Sequence, residues 1–393
     1  MKKPKKNFWE ERSRMSNIPK LRFPEFKGEW EEKRFSEIVY LENERDVCKK
    51  SDYITTENLN KDYAGVTFNT NSNEIVPGIK YLKDDILFGN IRPYLKKVWQ
   101  ADRNGCVNSD VLVFKIIKDN SKFINNIICS DLFLSHVMNG AKGTKMPRGD
   151  KNQMMDFIAK IPSLPEQQKI ADFLSNVDSI ITAETKILNT LQKKKKALMQ
   201  KLFTRQLRFK SDDGKDFPAW EEKKLGECVE ILDSQRKPIE SKERANRKGE
   251  YPYYGASGII DYIDDYLFEG ESILLGEDGA NIINRNSRLA FIATGKYWVN
   301  NHAHIMKTNA DNLNYFICEY LESLDYSKIC AGSAQPKLTQ DVIRNLTIKA
   351  PCKEEQQKIA DCLSSLDSLI QTQQKVVTTW QQRKKALLQQ MFV

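Results

Sequence analysis

One long stretch of this chain occurs twice, and the repetition limits the possible folds more than any other feature. Residues 166–203, EQQKIADFLSNVDSIITAETKILNTLQKKKKALMQKLF, return as residues 355–392, EQQKIADCLSSLDSLIQTQQKVVTTWQQRKKALLQQMF. About 21 of about 38 aligned positions are identical, and the offset of about 189 residues is the length of a domain. The chain therefore consists of two domain-sized copies of one unit.

Each copy carries apolar residues in a heptad pattern and contains no Gly or Pro, so each predicts one helix of roughly 38 residues and about 57 Å. The pattern defines a seam in each helix. Its positions are Leu174, Val177, Ile181, Glu184, Leu188, Leu191, Lys195 and Leu198 in the first copy, and Leu363, Leu366, Ile370, Gln373, Val377, Trp380, Lys384 and Leu387 in the second.

A helix of this length needs a partner of similar length to cover its seam, and the other copy supplies one. The polar interruptions indicate an alignment, because setting Glu184 opposite Lys384 also sets Lys195 opposite Gln373. We therefore predict an antiparallel coiled coil with an approximate two-fold axis near its middle. In the alternative, each helix docks only on its own domain.

The sequence outside the long helices predicts two mixed bodies. FPEFKGEWEEKRFSEI at residue 23 is matched by FPAWEEKKLGECVEI at residue 217, so the duplication includes the segment that leads into each body. Short apolar strands alternate with polar loops and helices without a regular βαβ rhythm, which predicts an α+β fold class. We divide the chain into a flexible extension (1–14), a first body (15–165), a central helix and linker (166–212), a second body (213–354) and a C-terminal helix (355–393).

Composition fits a globular protein, with 40% hydrophobic and 29% charged residues. No apolar run approaches the roughly 18 residues that cross a bilayer, and the basic start lacks the apolar core of a signal peptide, so we expect a cytoplasmic protein. The eight cysteines form no CxxC pair, which favours reduced thiols over disulfides or a zinc site.

Motifs of catalysis and cofactor binding are missing from the sequence. It contains no GxxxxGK[ST], GxGxxG, HExxH or GxSxG, and His302 with His304 has no accompanying carboxylate or cysteine cluster that would complete a metal site. We expect no catalytic residue, no metal and no cofactor in this chain.

Two related bodies that differ in their loops and are joined by long, stiff helices would suit a protein that binds two different short sequence elements at a fixed distance. The net charge of +9 is compatible with DNA as the polymer that carries them. Loop residues that could contact phosphates or base edges are Asn90, Arg92, Tyr94, Lys96, Lys97, Lys145 and Arg148 in the first body, and Tyr253, Tyr254, Ser257, Asn281, Asn301, His302, Gln335 and Lys337 in the second.

The two copies of EQQKIAD, LSxxD and KKAL, with the leading FP segments and YPYYGASGIIDYID at residue 251, resemble the DNA-specificity subunit of type I restriction-modification systems. The resemblance covers the chain from about residue 15 to its end. It implies two target-recognition domains that read an asymmetric, bipartite site in double-stranded DNA, and helices that space them.

The same resemblance implies partners: two methyltransferase subunits and the nuclease and translocase subunits. S-adenosylmethionine, ATP and magnesium would be bound in those partners. Two other interpretations stay open from the residues alone, namely a coiled-coil scaffold without DNA recognition and a self-contained DNA modification enzyme.

Overall fold

The computed structural model describes residues 17–70, 72–330 and 336–392. Contacts between Cα atoms divide these residues into two units, the first formed by 17–185 with 375–392 and the second by 186–374. Each long helix therefore contributes to both units, and the predicted extension 1–14 lies outside the described residues.

The first unit is an α+β body followed by the first long helix. Its strands are β1 (Glu31–Arg34), β2 (Val39–Leu41), β3 (Arg45–Lys49), β4 (Tyr53–Ile54), β5 (Ile75–Tyr81), β6 (Ile86–Gly89), β7 (Val98–Gln100), β8 (Gly105–Val107), β9 (Val111–Ile116) and β10 (Ile158–Ile161). Its helices are α1 (Phe35–Ile38), α2 (Ser121–Ile128), α3 (Asp131–Asn139), α4 (Lys151–Met155) and α5 (Leu164–Phe203).

The second unit follows the same plan. Its strands are β11 (Glu221–Lys224), β12 (Val229–Ile231), β13 (Lys248–Gly255), β14 (Gly258–Ile263), β15 (Phe268–Glu269), β16 (Ser272–Gly276), β17 (Ala290–Ala293), β18 (Lys296–Val299), β19 (Ala303–Thr308) and β20 (Thr347–Ala350). Its helices are α6 (Leu225–Cys228), α7 (Ser241–Asn246), α8 (Asn281–Asn284), α9 (Asn314–Ser323), α10 (Gln340–Arg344) and α11 (Lys353–Met391).

The sheets show which parts of the two copies have been retained. The antiparallel sheet β2-β9-β6-β7 of the first unit has the same order as β12-β19-β16-β17 of the second, and β1-β10 matches β11-β20. The remaining sheets differ, with the order β3-β5-β8-β4 in one unit and β14-β13-β18-β15 in the other. This confirms the predicted α+β class and shows that divergence is concentrated in one sheet of each unit.

A buried acid fixes the start of each long helix. Glu166 is 1% exposed, and its carboxylate accepts hydrogen bonds from the Arg22 guanidinium at 2.7 and 2.8 Å and from Trp30 Nε1 at 3.2 Å. The hydrogen bond with Glu166 raises the pKa of Arg22. Because a buried carboxylate without such partners is strongly destabilising, these contacts hold the leading segment against α5.

The second copy repeats this arrangement. Glu355 is fully buried and accepts hydrogen bonds from Arg208 at 3.1 and 2.7 Å and from Trp220 Nε1 at 3.1 Å. The tripeptide LRF, which contains the arginine of each anchor, occurs at residues 21–23 and again at residues 207–209. The anchors therefore have a signal in the sequence, although it is not among the predicted features.

The glutamine that follows each buried acid also has the same role in both copies. Gln167 Oε1 accepts from the Asn120 N–H at 2.9 Å, and Gln356 Oε1 accepts from the Leu313 N–H at 3.1 Å. Each amide nitrogen donates to the proline carbonyl just before its helix at 3.0 Å. The EQQ motif is therefore retained because its first two side chains join the helix to its own domain.

The two long helices pack as an antiparallel coiled coil, as predicted. In the first unit Asp178 lies 2.6 Å from Lys384, and in the second unit Lys195 lies 2.7 Å from Asp367 and 2.8 Å from Glu319. The two Lys–Asp pairs use matching positions of the two copies, the Asp of LSxxD and a lysine of the KKAL motif. This exchange explains why both motifs occur twice.

The predicted alignment of the helices was wrong by about one heptad, and the lysines pair with the aspartates that follow the seam residues Val177 and Leu366. Lys384 pairs with residue 178 and not with residue 184, and Lys195 pairs with residue 367 and not with residue 373. A heptad pattern fixes which face of a helix is buried, but it repeats every seven residues and leaves the choice of heptad open. The observed alignment places each largely buried lysine beside a carboxylate, which offsets the cost of burying its charge.

The seam residues lie on the inner face of both helices. Those that are buried are Leu174, Val177, Leu188, Lys195, Leu363 and Val377. Those that are half-buried are Ile181, Glu184, Leu191, Leu198, Leu366, Ile370, Gln373, Trp380, Lys384 and Leu387.

The last aromatic residue of each long helix completes a core formed by the other copy. The Phe392 ring lies 6.4 Å from Trp30 and 5.3 Å from Phe123 in the core of the first unit. The Phe203 ring lies 5.8 Å from Phe316 in the second unit. Each unit therefore needs the start of one long helix and the end of the other.

Phe392→Ala should destabilise the first unit by about 3 kcal/mol, because it removes a buried ring from an aromatic core. Native-state hydrogen exchange, measured separately for each unit, would detect this as lost protection in the first unit's core strands. The matched variant Phe203→Ala should affect the second unit instead. Equal losses in both units for each variant would contradict this assignment.

Candidate nucleic-acid interface

Three loops of the first unit meet where strand β6 ends. The Asn90 N–H donates to the Asp110 carbonyl at 2.9 Å, and the Arg92 N–H donates to the Pro147 carbonyl at 2.7 Å. In a third hydrogen bond, the Gly149 N–H donates to the Asn90 carbonyl at 3.3 Å. We call this group of residues the first loop junction.

The second unit builds the same junction where strand β16 ends. The Glu277 N–H donates to the His302 carbonyl at 2.8 Å, the Gly279 N–H to the Pro336 carbonyl at 3.2 Å, and the Leu338 N–H to the Glu277 carbonyl at 2.8 Å. We call these residues and the intervening Lys337 the second loop junction. The same backbone contacts therefore carry different side chains in the two units.

Arg92 has a backbone conformation that arginine rarely adopts. Its φ of 52° and ψ of 62° lie in the left-handed region, whereas the equivalent position of the second junction is Gly279, with φ of 99°. For a residue with a Cβ this conformation costs about 1–2 kcal/mol. Lys96 and Arg205 also have positive φ, of 55° and 62°, so Arg92 is distinguished by its place in the junction rather than by the conformation alone.

Charged side chains cross both junctions. Arg148 lies 3.0 Å from Asp110 in the first, and in the second Lys337 lies 3.1 Å from Glu277 and His302 lies 2.8 Å from Asp278. Burial on its own would raise the pKa of Glu277, but hydrogen bonds with Arg236 and Lys337 and the charge of His304 hold it below its ordinary value.

The first junction also holds polar atoms without a partner. Among the described residues, Asn90 Oδ1, Arg92 Nε and Asn108 Oδ1 are buried and make no hydrogen bond. Such atoms are uncommon in folded proteins, and three of them lie close to this junction.

The other basic and aromatic residues predicted for the first body have separate surroundings. Lys96 lies 3.4 Å from Asp131, and Lys97 Nζ donates to the Thr56 carbonyl. Burial, with a smaller effect of Lys61, lowers the pKa of Lys97. Tyr94 and Lys145 are exposed. The residues of the first loop junction, by contrast, come together although the sequence places them up to about 58 positions apart.

Tyr253 is excluded from a DNA contact by its position. It is 1% exposed, and its hydroxyl accepts a hydrogen bond from the Ile239 N–H at 3.0 Å. Tyr254 is half-buried, with ring centroids 5.8 Å from those of Phe291 and Tyr297. Alternation along strand β13 therefore directs these tyrosines into packing contacts on its two faces.

The remaining residues predicted for the second body have varied surroundings. Asn281 holds its own loop, since it accepts from the Ser287 N–H at 3.0 Å and donates to the Ser287 carbonyl at 3.1 Å. Ser257 and Asn301 are exposed, and Gln335 lies outside the described residues.

His304 is a buried residue that holds the loop of the second junction in place through both nitrogens of its ring. It is 1% exposed; its Nδ1 lies 2.5 Å from an Asp233 carboxylate oxygen and its Nε2 lies 2.8 Å from the Leu338 carbonyl. Burial alone would raise the pKa of Asp233, but the hydrogen bond with His304 and its charge lower it below the ordinary value. The Asp233–His304 pair therefore positions the loop that carries Lys337.

The described residues offer no obvious place for a metal, since nowhere in 17–70, 72–330 or 336–392 do three His, Cys, Asp or Glu side chains come together as ligands. None of the helices in this part of the chain combines the length and hydropathy needed to cross a bilayer.

Comparison with known families identifies the class of protein. The model of the type I restriction modification DNA specificity domain matches residues 27–193 and again residues 219–379. The chain therefore belongs to this family, with one domain in each copy, and its role lies in DNA sequence specificity. This confirms the resemblance drawn from the repeated motifs.

Individual relatives support the same family assignment. The type I restriction enzyme MjaVIII specificity subunit of Methanocaldococcus jannaschii is 25% identical over 94% of this chain and 92% of its own length. A candidate specificity subunit of Haemophilus influenzae, S.HindORF215P, is 35% identical, but that match spans only 37% of each chain. The crystal structure of the S subunit of a type I restriction-modification system from M. genitalium shares the fold, with a TM-score of 0.60, 16% identity and coverage of 96% and 99%.

Asp233→Asn should destabilise the second unit at neutral pH by about 1–3 kcal/mol, because His304 loses its carboxylate. A carboxyl whose folded pKa is lowered stabilises the fold above its unfolded pKa of about 3.9, and this contribution disappears as the pH falls through the lower folded value. Denaturant unfolding from pH 7 to 3 should therefore show the two proteins converging. A difference that stays constant with pH would contradict this role.

Proposed function

We propose that this chain is the specificity subunit of a type I restriction-modification complex and reads an asymmetric, two-part target in double-stranded DNA. Each loop junction would contact one half of the target, while the coiled coil sets the gap between the halves. The observation that carries the proposal is the pair of junctions with equal backbone contacts and unequal side chains. Identical half-sites would call for identical side chains.

The chemistry of each junction supports direct contact with DNA. Arginine and lysine side chains bind phosphates or guanine edges, and asparagine amides pair with adenine. The first junction offers Arg92 and Arg148, since Asn90 is only 8% exposed, whereas the second offers Lys337 and His302. These differences predict that the two half-sites have different base sequences.

The proposal places catalysis in partner subunits. Methyltransferase subunits would bind S-adenosylmethionine, and nuclease and translocase subunits would use ATP and magnesium. We expect the assembly to act in the cytoplasm, where its DNA lies. This chain would contribute DNA recognition and the surface on which the methyltransferase subunits assemble.

We assign that surface to the outer face of α5. Phe173, Ile180 and Ile187 follow one another at heptad spacing beside the seam and remain 36%, 36% and 47% exposed. A row of exposed apolar side chains on a helix that already has a partner is typical of a further helix–helix contact. The occupant that we propose is a helical segment of the methyltransferase subunit.

Arg92→Gly should make the first unit more stable by about 0.5–1 kcal/mol, since glycine adopts the left-handed conformation without strain, and should weaken DNA binding. Arg205→Gly is the matched control, because Arg205 also has a positive φ, of 62°, but lies outside the junctions. The measurements are thermal unfolding and affinity for the genomic site identified by methylation mapping. Undiminished affinity of Arg92→Gly would remove Arg92 from the interface.

Lys337→Ala should lower DNA affinity by about five- to ten-fold through loss of one phosphate or base contact. Lys349→Ala is its control, because Lys349 also pairs with a glutamate, at 2.9 Å, but lies on β20. The loss should depend on the second half-site only. Equal affinity of the Lys337 and Lys349 variants would contradict the assignment.

Ile180→Asp should abolish co-purification with the methyltransferase subunit while leaving DNA binding unchanged, because a charge in an apolar helix contact is strongly unfavourable. Thr182→Asp adds the same charge to an exposed position on another face of α5 and should have little effect. Retained assembly of the Ile180 variant would place the docking surface elsewhere.

A further inference from the structure

Three side chains of the loop junctions, Arg148, His302 and Lys337, are already paired with carboxylates, whereas the buried Arg92 Nε has no partner among the described residues. Arg148 has Asp110, His302 has Asp278 and Lys337 has Glu277, at distances of 2.8 to 3.1 Å. The two copies form these pairs with different residues. Asp110 of the first junction and His302 of the second accept the equivalent backbone hydrogen bond, so an acid in one copy corresponds to a histidine in the other. The carboxylate therefore comes from a different position in each copy, whereas Arg148 and Lys337 are equivalent basic residues.

The pairs are poor candidates for a stabilising role. The side chain of Arg148 is 60% exposed and that of Asp110 25% exposed, and His302 and Asp278 are 51% and 36% exposed. Ion pairs at such exposure contribute about 0.2–1 kcal/mol. They are therefore weak enough to be replaced by a contact with DNA.

We propose that Asp110 and Asp278 are specificity-determining residues that compete with DNA phosphates for Arg148 and His302. This inference rests on the proposed function. On non-specific DNA, the gain from a phosphate contact is offset by loss of the carboxylate contact and by repulsion between the carboxylate and the DNA backbone. On the target, the released carboxylate accepts a hydrogen bond from a base amino group, so that its cost is recovered there. The carboxylates thus lower non-specific affinity more than specific affinity.

Glu277 has the same geometry but a second role. Its side chain is 12% exposed and also binds Arg236 at 2.8 Å. Replacing it would disturb the interior of the second unit, so the test uses the two exposed aspartates.

The experiment measures binding of the full chain to a random-sequence duplex and to the mapped target over a range of salt concentrations. Asp110→Asn and Asp278→Asn should each bind the random duplex about two- to five-fold more tightly. The slope of log K against log salt should steepen by about 0.9, as expected for one more effective phosphate contact. Affinity for the target should rise less, so the ratio of specific to non-specific affinity falls.

Two exposed carboxylates of similar pairs serve as controls. Asp156 pairs with Arg34 at 3.4 Å and Glu222 with Lys349 at 2.9 Å, away from both junctions. Asp156→Asn and Glu222→Gln remove the same charge and should change non-specific affinity less. Equal effects of junction and control variants would overturn the inference, as would weaker binding by the junction variants. If the unmodified chain binds no duplex at any salt concentration, the proposed function itself fails.

Discussion

The structure depends on the exchange of helix ends between the two copies. Phe392 closes an aromatic core around Trp30, and Phe203 does the same beside Phe316, so neither domain has a complete core from its own copy alone. The opposite end of each helix is held by a buried glutamate that binds an arginine and a tryptophan. These two anchors fix the helix at both ends, and the heptad pattern only has to keep the stretch between them paired.

This arrangement separates what must be retained from what can change. The anchors, the LSxxD and KKAL pairs and the sheet order β2-β9-β6-β7 recur in the second copy, because each contributes to a core or neutralises a largely buried charge. The loop junctions lie at strand ends, where the backbone hydrogen bonds hold the geometry and the side chains are free to differ. One scaffold can therefore present two recognition surfaces. The positions that differ are Asn90 and Glu277, Arg92 and Gly279, Asp110 and His302, and Arg148 and Lys337.

Much of this could be predicted from the sequence, because repetition and periodicity are local signals. The duplication and the α+β bodies followed from them, whereas the antiparallel direction was predicted from a pairing of Glu184 with Lys384 in place of which the structure has Asp178 with Lys384. The helix alignment did not follow from these signals, since the Lys195–Asp367 pair is one of several alignments that bury the same face. Tyr253 was misplaced because strand alternation alone does not tell which face of β13 is covered. The Asp233–His304 pair joins residues far apart in sequence, and no local pattern reveals it, whereas the repeated LRF tripeptide is a signal for the Glu166 anchor.

The proposed function is recognition of DNA by two unlike surfaces, one in each unit. Its most direct test is selection of duplexes from a randomised pool by the purified chain, followed by sequencing of the bound fraction. We predict that the bound duplexes share two short, different blocks of selected bases separated by a fixed number of unselected positions. One continuous block, two identical blocks in inverted order, or no enrichment would contradict it.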